Sequence, residues 1–288
     1  MSPLAPRGTA GSEGCSILDI PGPRWFSAED PIWRVHGDVA TPIGITTGLL
    51  MLIANPSVAA SVAACGAEES PWSADDYLHD LVEITTFGTV DDAMVTIEHS
   101  RRDRSGISGT TEHGEYFYGT DPQLLEWGHA AIAWALLAAY QRFGTRALSQ
   151  AESDDYVRQF AGLAHLHGTR NSPTTVRELE QLLRRSRDRV RPTLSGRRAA
   201  TRLRETARSC PGARDDSATA HRSCTTVVDA AASLVPSDVR RALDLPHRSV
   251  DRAAVFGRIT QAHRGLSSAE LTTPAPIAAP SAMRVNSA

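Results

Sequence analysis

YGTDPQLLEWGHA, residues 118–130, is the stretch of sequence that decides the fold. Thr120 and Gln123 have the spacing of a capping box, in which two side chains satisfy the free backbone N–H groups at a helix start. They predict a helix that continues to Gly144, because glycine commonly ends helices. Within this helix His129 lies in line with leucine and isoleucine residues, so we expect it on an apolar face.

Similar helix starts recur along the chain and support an all-α fold. Each has a hydroxyl residue followed by an acid three positions later, ahead of apolar residues at helical spacing. No segment shows the sustained alternation of β-branched and polar residues that marks a pair of strands. The predicted helices begin at Ser73 with Asp76, Thr89 before residues 90–104, Ser149 with Glu152, and Thr175 with Glu178.

The most apolar segment, Ile43–Ala64, reaches the length of about 20 residues that a membrane span requires. Asn55-Pro56 lies at its middle, however, and no aromatic residues flank it as they do in membrane spans. Proline ends or kinks a helix. We therefore predict two short buried helices that meet at Pro56, and no membrane span.

Length and composition favour one domain. The chain has 288 residues, of which 41% are hydrophobic, enough for a substantial core. We predict disordered tails at residues 1–27 and 256–288, and a helical domain at residues 28–255 with an arginine-rich mobile loop near residues 192–222. The sequence leaves the oligomeric state open.

The cysteines and the first residues favour a cytoplasmic protein. The four cysteines have neither CxxC spacing nor the density of a disulfide-stapled secreted domain. Residues 1–24 lack a basic start followed by an apolar run, so they do not predict a secretory signal. A reducing compartment is the expected location.

Histidines on apolar helix faces are the first candidates for chemistry, because an all-helical enzyme usually holds a metal or cofactor between its helices. His129 is one such residue. The simpler interpretation is a core histidine bonded to a backbone carbonyl, although Gly128 beside it suggests a close neighbour at this point of the helix. His165 and His167, at a predicted helix end, are interpreted as surface residues.

His99 lies on the predicted helix at residues 90–104 but outside its central apolar stripe. That pattern is typical of a solvated histidine. Its neighbours favour a different role, because Arg101, Arg102 and Arg104 could pair with the propionates of a haem whose iron His99 binds. From the residues alone, both interpretations of His99, a solvated histidine and an iron ligand, stay open.

Other motifs add little. A phosphate-binding glycine loop, an HExxH pair and a GxSxG elbow are all missing from the sequence, which argues against nucleotide-binding and hydrolase functions. The region Arg184–Arg208 could bind a polyanion, but it lacks interleaved aromatic residues and is more typical of a solvated helix face. We keep polyanion binding as an alternative and expect no nucleic-acid partner.

Several strings, in order along the chain, resemble the MpaB and latex-clearing rubber oxygenase family. The most specific is the block at residues 118–130, which is similar to the family pattern Tyr-x-x-x-Asp-Pro-x-Leu-Leu-x-Trp-Val-His-Ala. The other strings are Asp30-Pro31-Ile32-Trp33, residues 44–52 leading into Asn55-Pro56, Thr85-Thr86-Phe87-Gly88, Val235-Pro236 and Leu243-Asp244-Leu245-Pro246.

This resemblance implies a globin-like helical core and a haem b-dependent oxygenase that acts with O2 on a small apolar, isoprenoid-like substrate. It implies that His99 is the iron ligand, and hence the metal-binding residue, and that His129 is a pocket residue near the haem. Arg101 and Arg102 are the candidate partners of the haem propionates.

The sequence also departs from the family pattern. Asn55 stands in place of the family's His-Pro histidine, Cys65 in place of a following histidine, Tyr77 in place of an arginine, and Asp103 in place of the basic residue four positions after the ligand. Because neighbouring groups orient a metal ligand and control access to it, these changes favour an alternative. In it, a cofactor-free helical protein keeps the family fold without catalysis.

Overall fold

The computed structural model describes residues 17–64, 72–207, 217–247 and 249–269. Within them the chain forms twelve α-helices and a single two-stranded sheet, which confirms the all-α prediction. The helices are α1 (Pro31–His36), α2 (Thr41–Ile53), α3 (Pro56–Ala64), α4 (Trp72–Phe87), α5 (Val90–Ser105), α6 (Pro122–Phe143), α7 (Gln150–Leu166), α8 (Val176–Arg185), α9 (Leu194–Thr206), α10 (Ser217–Leu234), α11 (Ser237–Ala242) and α12 (Arg252–Ala269). The strands are β1 (Ser108–Thr110) and β2 (Tyr116–Tyr118).

Helices α2 and α6 pack against each other at the centre of the core. Helix α2 contains no charged residue, and nearly all of its side chains are buried. Gly44 allows the close approach, since a Cβ at this position would lie 2.8 Å from the backbone Cα of Leu136. The crossing fixes the position of α6 and therefore of His129.

The apolar segment forms two helices that meet at Asn55-Pro56, as predicted. The axes of α2 and α3 differ in direction by 99°. The Asn55 Oδ1 atom accepts a hydrogen bond from the Ser57 backbone N–H at 2.9 Å, which satisfies a free donor at the start of α3. In the described part of the chain, a helix long and apolar enough to cross a membrane is not found, although the bent pair α2–α3 passes that test when taken together.

Three of the predicted helix starts are confirmed. The side chains of Thr89, Ser149 and Thr175 cap α5, α7 and α8, and Ser149 forms a full capping box with Glu152. The start of α6 differs, because Asp121 rather than Thr120 is the cap: its Oδ1 atom accepts from the Gln123 N–H at 2.9 Å. The Pro122 ring holds φ at a helical value at the first helical position, which places the cap one residue before it.

The hairpin β1–β2 contradicts the expectation that the chain has no strand pair. Its strands are antiparallel, with Ser108 opposite Tyr118. The connection contains Gly114 in the left-handed region at φ 82°, a conformation that glycine adopts readily. Each strand has three residues, too few to show the alternation used to recognise strands in a sequence.

The arginine-rich segment is also more ordered than predicted. Residues 194–206 form α9, which buries Ala199, Ala200 and Leu203 against the core. Glu112, between the two strands, accepts hydrogen bonds from two backbone N–H groups in the first turn of α9, at 2.6 and 2.8 Å. The prediction of a mobile loop was wrong here because alanines supply much of the apolar stripe. Residues 208–216 of the predicted loop lie outside the described residues.

The predicted tails are shorter than expected within the described residues. Arg24 donates hydrogen bonds to the carbonyls of Ile20 at 2.8 Å and Phe87 at 2.9 Å, which ties residues 17–27 to the end of α4. Helix α12 extends to Ala269 in the region predicted as a tail from residue 256. Residues 1–16 and 270–288 lie outside the described part of the chain.

Candidate functional site

A small cavity lies between α1, α4, α6 and α7, and we call it the histidine cavity. Its volume is about 30 Å³, whereas roughly 10–15 Å³ is enough for one water molecule. Three of its ten lining residues are histidines, and six are aliphatic or phenyl side chains. The lining residues are His36, Leu78, Leu81, Val82, Thr85, His129, Ile132, Phe160, Leu163 and His167.

His36 is held by hydrogen bonds at both ring nitrogens. Its Nδ1 atom lies 2.7 Å from the Thr86 hydroxyl of α4, and its Nε2 atom lies 3.3 Å from the Tyr156 hydroxyl of α7. All three side chains are buried. The imidazole therefore ties α1 to both neighbouring helices, as a satisfied core histidine does.

His129 and His167 differ from His36 because each has a buried ring nitrogen without a partner. Their ring centroids lie 4.9 Å apart. Within the described part of the chain, the Nδ1 atom of each ring has no hydrogen-bond partner. His167 is buried at the end of α7, so its interpretation as a surface residue was wrong, whereas His165 is exposed as expected.

The three imidazoles of the cavity are uncharged at neutral pH. Burial lowers the pKa of His36 to about 3. Burial, followed by the charges of Arg104 and Arg101, lowers the pKa of His167 to about 3. For His129, burial is again the largest cause of a lowered pKa, with further contributions from His167 and Arg104. A neutral imidazole is able to bind a metal or to form a hydrogen bond with a ligand.

His99 does not line the histidine cavity. The buried side chains of α5 are Ala93, Ile97 and Ser100. His99 follows Ile97 by two residues, which is a rotation of about 200° around the helix. Its side chain is partly exposed, as the apolar pattern of the helix indicates.

The arginines next to His99 are also at the surface. Arg101 and Arg102 are exposed. The Arg102 guanidinium pairs with the Glu98 carboxylate one turn earlier, at 3.2 Å. Arg101 and Arg102 stay predicted partners of the haem propionates.

Arg104 is the α5 residue that reaches the buried histidines. Its guanidinium donates hydrogen bonds to the Ser100 hydroxyl at 2.5 Å and to the His167 backbone carbonyl at 3.0 Å. A guanidinium stays protonated and has no lone pair to offer a metal ion. Helix α5 therefore presents a cation to the cluster rather than a metal ligand.

The histidine cavity does not fit a haem. Enclosed pockets for ligands of cofactor size have volumes of roughly 300–1,000 Å³, and the histidine cavity has about 30 Å³. The histidine carried over from the family resemblance, His99, does not line this cavity. In the described part of the chain, a group of three or more histidine, cysteine or acidic side chains able to hold a metal ion is not found.

The other departures from the family pattern have partly structural roles. Asn55 caps α3, whereas the Tyr77 side chain is exposed on α4. Cys65 lies outside the described residues. Gly128 faces Leu52 of α2 at an ordinary contact distance, since a Cβ there would be 3.5 Å from the Leu52 Cδ2 atom. The close neighbour that Gly128 suggested is thus the side chain of another helix.

Sequence reasoning identified one member of the cavity and missed two. His129 was placed correctly on the inner face of α6. His36 and His167 lie at the last residue of a six-residue helix and just beyond a helix end, where periodicity gives little information. Their only signal in the sequence is the residue type.

Comparison with known proteins gives one match. A family model described as "ER-bound oxygenase mpaB/B'/Rubber oxygenase, catalytic domain" matches residues 33–265, which is most of the chain. No curated protein and no solved structure matches the chain. The matched region contains all the residues that line the histidine cavity.

Proposed function

Because the chain belongs to the MpaB and rubber oxygenase catalytic-domain family, we propose that it carries out an oxygenase-like reaction on an apolar, isoprenoid-like substrate. O2 is held in the histidine cavity, and a double bond of the substrate reaches it once a wall of the cavity moves. Family membership supports O2 and a substrate as reactants. O2 and the substrate then meet at the histidine cavity, rather than at the face of α5 that carries His99.

The unpartnered Nδ1 atoms of His129 and His167 carry this proposal. A buried polar atom without a hydrogen bond destabilises a fold by about 1–3 kcal/mol, so such atoms call for an explanation. A ligand that bonds to them supplies one. The two rings are neighbours, tilted by 42° with centroids 4.9 Å apart, which supports one ligand shared by both.

The cavity residues can orient a ligand and exclude water. Leu78, Val82, Ile132 and Leu163 give an apolar wall, which favours O2 or an alkene segment over a charged group. His129 and His167 are too weakly basic to take a proton from an ordinary substrate at neutral pH, because burial lowers their pKa values. Their role is to hold a ligand by hydrogen bonds.

Haem b, with His99 as its iron ligand, stays a prediction from the family resemblance. The reaction proposed at the histidine cavity uses no haem, because this cavity is too small for one. An absorption spectrum of the protein, expressed with a haem precursor and recorded before and after dithionite, tests this point. The proposal expects no stoichiometric Soret band, and a band that is lost in His99→Ala would overturn the choice of the cavity over His99.

Oxygen uptake tests the activity directly. The purified chain is given squalene in detergent micelles, with squalane, which has no double bonds, as the matched control. We expect uptake with squalene alone, and at least a tenfold lower rate in His129→Leu, because one mispositioned contact costs on the order of 100-fold in rate. His165→Leu is the control variant, since this histidine is exposed on α7. Equal rates in His129→Leu and wild type would contradict the proposal.

A second candidate is a protein that keeps the family fold without catalysis. The cavity volume of about 30 Å³ favours it, because a substrate of isoprenoid size does not enter without movement of a wall. This candidate predicts a colourless, stable protein that consumes no O2 with any alkene. The uptake experiment therefore separates the two.

Polyanion binding by the region Arg184–Arg208 gains no support from the contacts. Several of its arginines already have partners: Arg184 pairs with Glu180, Arg189 with Gln123, Arg191 with Glu115, and Arg197 with the Ala242 carbonyl. These contacts join the segment to the β1–β2 connection, α6 and α11, and the carboxylates of Glu180 and Glu115 offset the charges of Arg184 and Arg191. The alternative stays a prediction, which a filter-binding assay at low salt tests.

A further inference from the structure

Asp75 of α4 is a buried carboxyl group that the proposed reaction does not use. Its side chain is 8% exposed. The Thr46 hydroxyl of α2, which is fully buried, donates a hydrogen bond to the Asp75 Oδ1 atom at 3.0 Å. This bond joins the beginning of α4 to the central helix of the core.

Asp75 lies on the same face of α4 as residues that form the cavity wall. Leu78, Val82 and Thr85 follow it by three, seven and ten residues, the spacing of one helical stripe. Helix α4 supplies four of the ten residues that line the cavity. Any loosening of α4 at Asp75 therefore displaces the cavity wall within one turn of the helix.

The surroundings of Asp75 favour its neutral form. Helix α2 has no ionisable residue, so it offers no cation to a carboxylate. Burial raises the pKa of Asp75 to about 7, against a smaller lowering by the Thr46 hydrogen bond, and the neighbouring Asp76 charge raises it further. On the segments packed against α4, the ionisable groups engage elsewhere: Arg34 with Glu152, His36 with Thr86, Arg104 with His167, and Arg24 with Phe87 at the far end of the helix. On α4 itself, the partly exposed His79 lies one turn after Asp75 and interacts with the Asp76 carboxylate.

We propose that protonated Asp75 holds α4 against α2 and keeps the histidine cavity closed, so that loss of this proton opens the cavity to substrate. The part about substrate rests on the proposed function, whereas the docking of α4 does not. An ionised carboxylate in this apolar contact is poorly solvated, and exposure of the first turns of α4 gives it water. Opening is then coupled to the release of one proton.

Hydrogen exchange of the α4 amides tests this coupling. Protection factors of residues 76–85, corrected for intrinsic exchange, are measured by NMR from pH 5 to pH 8. One proton released per opening makes opening about tenfold more frequent for each pH unit up to the pKa of the closed state. We expect protection to fall in this way and to level off above pH 7.

Three variants make the test specific. Asp75→Asn imitates the protonated form, so its protection stays high and independent of pH. Thr46→Val removes the hydrogen bond that favours the carboxylate. The pH above which protection stops falling, which we call the levelling point, therefore moves to a higher value. Glu83→Gln, a partly exposed acid on the same helix, keeps the wild-type profile.

An unchanged pH profile in Asp75→Asn would overturn the inference. If Asp75→Asn does not fold, an unchanged or lowered levelling point in Thr46→Val overturns it instead. Because exchange is measured without substrate, it is independent of oxygen uptake. A coupled profile without uptake contradicts the proposed function alone, and uptake without a coupled profile contradicts this inference alone.

Discussion

The histidine cavity and the His99 face of α5 place the same residue types in opposite surroundings. The cavity buries three uncharged imidazoles among apolar side chains, next to the partly buried Arg104. The α5 face holds His99, Arg101 and Arg102 at or near the surface. Burial, rather than residue type, decides which of these histidines can act in a water-excluded site.

The largest expected difference between the two regions is in packing. Phe160, which contacts the rings of His36 and His129, is 7% exposed. Phe160→Ala removes a phenyl ring from this wall and should lower the free energy of unfolding by about 3–5 kcal/mol. Met94→Ala on the exposed side of α5 is the control and should leave it nearly unchanged. Urea unfolding measures the free energy of unfolding of both variants. Equal losses would contradict the difference in packing between the cavity and the exposed side of α5.

The histidines inside the cavity should also differ from one another. His36→Leu leaves the hydroxyls of Thr86 and Tyr156 without their buried partner and should lower the free energy of unfolding by about 1–3 kcal/mol. His167→Leu removes an unpartnered nitrogen and should raise the free energy of unfolding by about 1 kcal/mol, as expected where a residue is kept for a ligand. Urea unfolding measures the free energy of unfolding of both variants. A loss in His167→Leu would show that its ring has a stabilising contact.

The pH dependence of stability sharpens the comparison further. His167 has a pKa of about 3 when folded, against roughly 6.5 when unfolded. The unfolded chain therefore binds more protons between these values, and stability falls as the pH is lowered below 6.5. The contribution of one such histidine is about 1.4 kcal/mol per pH unit.

The measurement compares wild type with His167→Leu by urea unfolding at pH 6.5, 6.0 and 5.5. The free energy of unfolding of the variant should fall less steeply, by the contribution of one histidine. Met94→Ala on the exposed side of α5 is the control and should keep the wild-type slope, because it removes no ionisable group. Parallel curves for His167→Leu and wild type would contradict the assignment of a buried neutral ring.

The fold was largely predictable because its helices have strong local signals. Ser149 and Glu152 form the predicted capping box, and Pro56 divides the apolar segment as expected. The hairpin was not predictable, since three-residue strands carry no periodic pattern. Helix α9 was missed because Ala199 and Ala200 add little hydrophobicity to an arginine-rich stretch.

The site was predictable only where a long helix carried it. His129 lies within the 22-residue helix α6, whose phase is clear from the sequence. His36 and His167 stand at helix ends, and their approach to His129 depends on how α1 and α7 pack. Tertiary contacts between segments 120 residues apart, such as His36 with Tyr156, leave no local trace in the sequence.

The smallest expected effect is that of His99 itself. His99→Ala changes a partly exposed side chain on α5 and should alter the free energy of unfolding by less than about 0.5 kcal/mol, as surface substitutions usually do. Urea unfolding measures this, with the partly exposed His79 of α4, changed to Ala, as a matched control. A loss of several kcal/mol in His99→Ala alone would mean that its imidazole is held by a partner or cofactor. Histidines in both regions would then be held by a partner, and the proposal that the reaction takes place at the histidine cavity would lose its support.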